Sequence, residues 1–204
     1  MSQSYFITGT DTGVGKTYVA CKLIEQYIAQ GYKVIGMKPV AAGCEFVDGV
    51  WVNEDVKLLT EASNVKAPAD LINPYCFKEP IAPHIAAQHE DVVISLDVIE
   101  SAYHQLAQMA DIVIVEGAGG LLVPLGSEHT IADLITRLNI PTILVVGLKL
   151  GCINHALLTM EISTSRNLPI TMWVANSLGA EMQACVENTH TLATKLSSLK
   201  QLVL

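Results

Sequence analysis

Three observations predict an α/β fold, a mostly parallel β-sheet with helices on both faces, in a single domain spanning residues 1–204. Short apolar runs alternate along the chain with stretches of helical period, the layout of strand–helix–strand units with right-handed crossovers. The runs at 111–116 and 142–146 are apolar almost throughout, as strands buried on both faces must be. A third run, Tyr5-Phe6-Ile7, leads into the loop Thr8-Gly9-Thr10-Asp11-Thr12-Gly13-Val14-Gly15-Lys16-Thr17 and then into a helical pattern.

Strand, glycine loop, then Gly-Lys-Thr opening a helix is the arrangement of a phosphate-binding loop, so the fold expected is of the P-loop NTPase type. Gly13 and Gly15 allow the backbone positive φ and close approach to an anion. The N–H groups of the loop and the helix N-terminus then face phosphate oxygens. Lys16 is placed to reach the β- and γ-phosphates, and the Thr17 hydroxyl to bind Mg²⁺. One position departs from GxxxxGK[ST]: the first glycine is expected at 10, where this chain has Thr10, and the glycine is Gly9.

Composition limits the alternatives. Half of the residues are hydrophobic (50%) and 16% are charged, which describes a globular chain with a large core. A net charge of -8 gives no basic face for general nucleic-acid or anionic-membrane binding. It leaves nucleotides open, because a local loop and one cation handle their phosphates. Cys21, Cys44, Cys76, Cys152 and Cys185 are odd in number and show no CxxC spacing. Neither a zinc site nor a disulfide framework is indicated, and reduced thiols in a cytoplasmic protein are expected. The histidines at 84, 89, 104, 129, 155 and 190 form no HxxxH or HxH pair. No basic-then-apolar leader pattern opens the chain, and no apolar run reaches the ~18 residues of a membrane span.

Along the chain, residues 5–8 read as a buried strand and 16–30 as a helix, with Val19, Leu23, Ile24 and Ile28 near the 3.6 period and Gly31 as its stop. Residues 33–37 are a short strand that ends in the loop Lys38-Pro39-Val40-Ala41-Ala42-Gly43, at the carboxyl end where open α/β sheets place their chemistry. Residues 44–53 read as a loop. Asn53-Glu54-Asp55 starts a helix to about Ala62, where an acid is ordinarily a cap or first-turn charge. Residues 66–90 carry Pro68, Pro74, Pro80 and Pro83 and read as a long irregular loop, a kind often functional. Ser95 starts a helix to about Ala110. The run 111–116 then ends in Glu116-Gly117-Ala118-Gly119-Gly120, and an acid ending such a strand binds or orients Mg²⁺ in phosphate-loop enzymes. A short helix at 130–137, a strand at 142–146, a helix to about Arg166, a strand at 170–175 ending in Asn176, and a last helix at 181–199 complete the pattern.

Seven stretches together resemble the dethiobiotin synthetases, the ATP-dependent carboxylases late in biotin synthesis. They are TGTDTGVGKT at 8–17, GMKPVAAG at 36–43, NPYCF at 73–77, EPIAPH at 79–84, VEGAGG at 115–120, ILVVGLKLGCINHA at 143–156 and WVAN at 173–176. The resemblance implies a ligase that carboxylates 7,8-diaminononanoate with CO₂ and closes a ureido ring, consuming ATP. It implies that Lys38, Lys16 and Thr12 are catalytic and that Thr17, Asp55 and Glu116 hold Mg²⁺. Nucleotide contacts are implied for Gly13, Val14, Gly15, Lys16, Thr17, Tyr18, Asp55, Glu116, Gly117, Ala118, Gly119, Asn176 and Ser177, with Asn176 on the adenine. Ala42 and the backbone of Gly151, Cys152, Ile153 and Asn154 would meet the substrate, the last four across a homodimer interface. Ala42 stands where many family members have a serine. Family members also continue beyond the equivalent of Leu204 through a turn and helix that hold the purine, so looser discrimination among nucleoside triphosphates is expected.

Two other classes share the predicted fold. Partition and septum-positioning ATPase switches carry an early lysine, KGGxGKT, where this chain has Asp11. Amide synthases of the cobyrinic acid type need a glutamine-hydrolysing domain, for which 204 residues leave no room. A related carboxylase with a drifted substrate remains open because of Ala42.

Overall fold

The computed structural model describes residues 3–47, 49–177, 179 and 182–204. Its centre is a six-stranded, wholly parallel sheet. In chain order these strands are β1 (Gln3–Gly9), β2 (Val34–Met37), β7 (Ile112–Glu116), β8 (Thr142–Leu148), β9 (Ile170–Ser177) and β10 (Lys200–Gln201). Their order across the sheet is β10-β9-β8-β1-β7-β2. Strand pleating divides the apolar runs between two cores. Tyr5, Ile7, Ile112, Ile114, Ile143 and Val145 face one side, against helices α1 (Lys16–Ala29) and α2 (Glu54–Ala62). Phe6, Val113, Val115, Leu144 and Val146 face the other. That side is covered by α4 (Pro83–His89), α5 (Leu96–Met109), α6 (Ile131–Leu138), α7 (Cys152–Ser165) and α8 (Cys185–Lys195). Burial on both faces is what the unbroken apolar runs require.

Several segments differ from the expectation. The supposed loop at 38–43 contains strand β3 (Val40–Ala42), which pairs in parallel with β6 (Tyr75–Phe77) from the proline-rich segment. The supposed loop at 44–53 is a hairpin of β4 (Glu45–Val47) and β5 (Val50–Val52), turning at Gly49 in the left-handed region. The irregular stretch 66–90 holds two helices, α3 (Ala69–Ile72) and α4, besides β6. Its prolines sit where the backbone tolerates them: Pro83 is the first residue of α4, and Pro68 precedes α3. The last helix is shorter than expected, and the chain after it forms β10 beside β9. Residue 181, the expected start of that helix, lies outside the described residues. Among the described residues, no helix is long and apolar enough to cross a membrane.

The expectation of five reduced thiols is corrected for two of them. Cys44 and Cys76 form a disulfide, with Cα atoms 6.1 Å apart and a sequence separation of 32. No local spacing announces this pair. The β3–β6 register puts Ala41 opposite Cys76 and carries Cys44 to the end of the same ribbon. Cys21, Cys152 and Cys185 are free. Thiol titration of the air-oxidised, denatured protein is expected to give three reactive cysteines before reduction and five after. Five before reduction would contradict the pairing.

Candidate functional site

Three adjacent strands of the sheet deliver the charged groups. The phosphate loop leaves the carboxyl end of β1, Glu116 ends β7, and Lys38 follows β2. Register brings the last two together: Met37 lies opposite Val115, so Lys38 emerges alongside Glu116. Ligand sites of open α/β sheets form at such carboxyl ends.

The loop has the backbone that its glycines predicted. Gly13 and Gly15 take φ of 70° and 86°, and Gly15 caps α1. A Cβ on Gly15 would lie 2.1 Å from Asn176 Nδ2, so a side chain there has no room. The glycine displaced to position 9 has its own reason, because a Cβ there would meet Val14 Cγ2 at 2.6 Å. Thr10, at the usual glycine position, donates its backbone N–H to the Val145 carbonyl at 3.0 Å.

The side chains form one cluster. Thr17 Oγ1 lies 2.8 Å from Asp55 Oδ1 and 2.9 Å from Glu116 Oε1. Lys38 Nζ donates to Asp55 Oδ2 at 2.7 Å and to Glu116 Oε1 at 2.6 Å. Lys16 Nζ donates to the Asp11 carbonyl at 3.1 Å. Lys16, Lys38 and Glu116 are buried, and Asp55 is half-buried. Burial and then the Lys38 charge lower the Lys16 pKa to about 8. Burial also opposes the Lys38 charge, but the Glu116 and Asp55 carboxylates outweigh it and hold the ammonium above the ordinary lysine range. For Asp55, burial pushes upward, and Lys38 and the Thr17 hydroxyl pull the carboxyl below its usual value. Glu116 is pushed up by burial, against the pull of Lys38.

One cavity of about 780 Å³ contains this cluster. Of the residues singled out in the sequence, Thr12, Gly13, Gly15, Lys16, Thr17, Lys38, Ala42, Asp55, Glu116, Ala118 and Gly119 line it. A separate cavity of about 400 Å³ is lined by Tyr18, Asn176 and Ser177, together with Thr189 and Leu202. Asn176 there donates Nδ2 to the Val14 carbonyl at 2.8 Å, bracing the loop. Val14 and Gly117 are buried and line neither cavity. Gly151, Cys152, Ile153 and Asn154 also lie outside both, at the start of α7.

Part of the wall comes from residues outside the sequence-predicted site. Val40, Pro80, Ile81, Pro83, Val123 and Pro124 give the large cavity an apolar side. Asn53 lines it too and, in place of Asp55, caps α2. The available signal for Asn53 was its position two residues before the acid, where an N-cap belongs.

The donors converging on the cluster suit a hard divalent cation. They are a hydroxyl and two carboxylates, and Glu116 Oε2 is buried with no hydrogen-bond partner. Oxygen ligands of this kind fit Mg²⁺.

The family model for the AAA domain matches residues 3–202. The chain is 50% identical over 196 residues to an ATP-dependent dethiobiotin synthetase BioD of Nitrosospira multiformis, covering 96% of this chain and 85% of that protein. It is 46% identical over 196 residues to the ATP-dependent dethiobiotin synthetase BioD of Aromatoleum aromaticum, covering 96% and 87%. In shape it is similar to a chain of the MinC:MinD cell division protein complex of Aquifex aeolicus, with a TM-score of 0.57 at 14% identity, covering 98% of this chain and 79% of that one. At that identity the likeness shows the fold alone.

The geometry predicts the effect of emptying the lysine position in the loop. Lys16→Ala is expected to weaken binding of a non-hydrolysable ATP analogue about 10- to 100-fold, the value of one charge-assisted hydrogen bond. Isothermal titration calorimetry measures this, and affinity within two-fold of the unmodified protein would contradict it.

Proposed function

Because the chain belongs to the dethiobiotin synthetase family, we propose that it converts 7,8-diaminononanoate, CO₂ and ATP to dethiobiotin, ADP and phosphate. One amine adds to CO₂ and loses a proton, giving a carbamate. A carbamate oxygen attacks the γ-phosphorus, and ADP leaves. The second amine attacks the carbonyl carbon of the resulting mixed anhydride, phosphate leaves with the C–O bonding pair, and loss of the amine proton completes the ureido ring.

The observation that carries this reading is the placing of Lys16, Lys38, Thr17, Asp55 and Glu116 around one cavity that also has an apolar wall. Phosphoryl transfer asks mainly for positioning and charge neutralisation, and the cluster offers both. Lys16 faces the transferring phosphoryl group. Lys38 is held as an ammonium by its two carboxylates, so its role is to stabilise oxygen charge on carbamate and phosphoryl. It is not a general base, which would need a lowered pKa. Thr12 supports the phosphoryl group from the loop. Mg²⁺, held by Thr17, Asp55 and Glu116, would neutralise the phosphate oxygens. Gly13, Val14, Gly15, Gly117, Ala118 and Gly119 form the backbone cradle, and Tyr18, Asn176 and Ser177 the base side. Val40, Ile81, Val123 and Pro124 suit the alkyl chain of the diamine.

The reading includes a homodimer with shared sites. Residues 151–154 lie away from their own subunit's cavities, which suits service to a partner's substrate carboxylate. Beside them Leu150 is 94% exposed and Leu158 58% exposed, and Leu122 and Leu158 line one surface groove. Apolar surface of this kind marks a contact, and a two-fold dimer is the commonest arrangement. The cytoplasm is the proposed location.

Fixation of labelled bicarbonate into acid-stable product is expected only with ATP, Mg²⁺ and 7,8-diaminononanoate all present. Lys38→Ala should lower it at least about 100-fold, the scale of losing a transition-state charge contact. ATP hydrolysis without fixation would overturn the substrate. Site sharing has its own test. Lys38→Ala and Asn154→Glu should each be inactive, and their equimolar, re-equilibrated mixture should recover about a quarter of the unmodified rate, because half the dimers then have one intact site. No recovery would place both groups in one subunit's site.

A further inference from the structure

Asn53 connects the two sides of the large cavity. It is buried, and its amide orientation is fixed by its partners. Oδ1 accepts from the backbone N–H of Asp55 at 3.0 Å and of Val56 at 3.4 Å. Nδ2 donates to the Ala42 carbonyl at 3.1 Å. The first pair of bonds sets the start of α2, and with it the direction in which Asp55 projects toward Thr17 and Lys38. The remaining bond holds the end of β3, where Ala42 meets the cavity.

We propose that Asn53 is a positioning residue that sets the distance between the phosphate-and-metal side and the amine side of the cavity. The proposal rests on the dethiobiotin-forming reading. Ala42 has no side chain with which to fix its own place. Its strand end is held by backbone bonds, from Gly43 N–H to the Glu79 carbonyl and from Cys44 N–H to the Phe77 carbonyl, by the Cys44–Cys76 disulfide, and by the Asn53 amide. The backbone bonds and the disulfide tie this end of β3 to β6 and the residues just after it. The Asn53 amide ties it to α2. A serine at 53 retains an N-cap oxygen but has no nitrogen to give to Ala42, and an alanine has neither.

The two variants therefore separate the two functions. For the unmodified protein, Asn53→Ser and Asn53→Ala, the measurements are KM for the diamine at saturating ATP, Mn²⁺ binding to the ADP complex by calorimetry, and the melting temperature. Asn53→Ser is expected to raise KM about 3- to 10-fold and to leave Mn²⁺ binding within two-fold, as loss of one hydrogen bond implies. Asn53→Ala should raise KM similarly and also weaken Mn²⁺ binding about 3- to 10-fold, through loss of the cap. Both constants staying within two-fold in the two variants, whatever the change in melting temperature, would reduce Asn53 to a structural cap and overturn the proposal. Equal effects of Ser and Ala on both constants would overturn it as well. Should Asn53→Ala not fold, the Ser variant decides by its KM against its Mn²⁺ binding. If the unmodified protein fixes no bicarbonate, the proposed function fails first. The Mn²⁺ comparison would still test the hold of Asn53 on Asp55.

Discussion

The ammonium of Lys38, lying 2.7 Å from Asp55 and 2.6 Å from Glu116, is the contact on which the rest of the site depends. Glu116 and Lys38 are both buried, and neither could remain charged there alone. Removing one member of such a pair leaves an unpaired buried charge and costs several kcal/mol, whereas the intact pair adds little to stability. A fold has small reason to keep this arrangement for stability. It is retained where fixed charges are needed at one point, in a place from which water is largely excluded.

Holding the pair in position accounts for much of the architecture. Lys38 and Glu116 approach because β2 and β7 are neighbours in register, and the phosphate loop approaches because β1 is the next strand. Close packing on both faces of these strands resists slip, since a shift of one residue would exchange the two faces and set every buried side chain against the wrong neighbours. Asp55 comes from outside the sheet, in the first turn of α2, whose start is capped by Asn53. The sheet therefore fixes three of the charged groups, and a single helix start fixes the fourth.

The parts legible in the sequence were those whose signal is local. The loop at 8–17, the buried run ending in Glu116 and the alternating pattern each carry their meaning within about ten residues. The parts missed depend on pairing between distant segments. β3 and β6 are three residues each, too short for a visible alternation, and become strands only by finding each other. The Cys44–Cys76 bond follows from that pairing and has no spacing of its own. Prolines at 68 and 83 look like breakers in sequence and serve as helix starts in the structure. Asp55 reads as a helix-start charge until Thr17 and Lys38 are seen against it.

In the proposed reaction a carbamate oxygen, and not water, takes the γ-phosphoryl group beside Lys38. Oxygen tracing tests this most directly. With ¹⁸O-labelled bicarbonate supplied, the released inorganic phosphate should contain one ¹⁸O from the carbamate for each dethiobiotin formed. Phosphate free of ¹⁸O, its new oxygen taken from unlabelled water, would contradict this, because it would separate ATP cleavage from carbon activation.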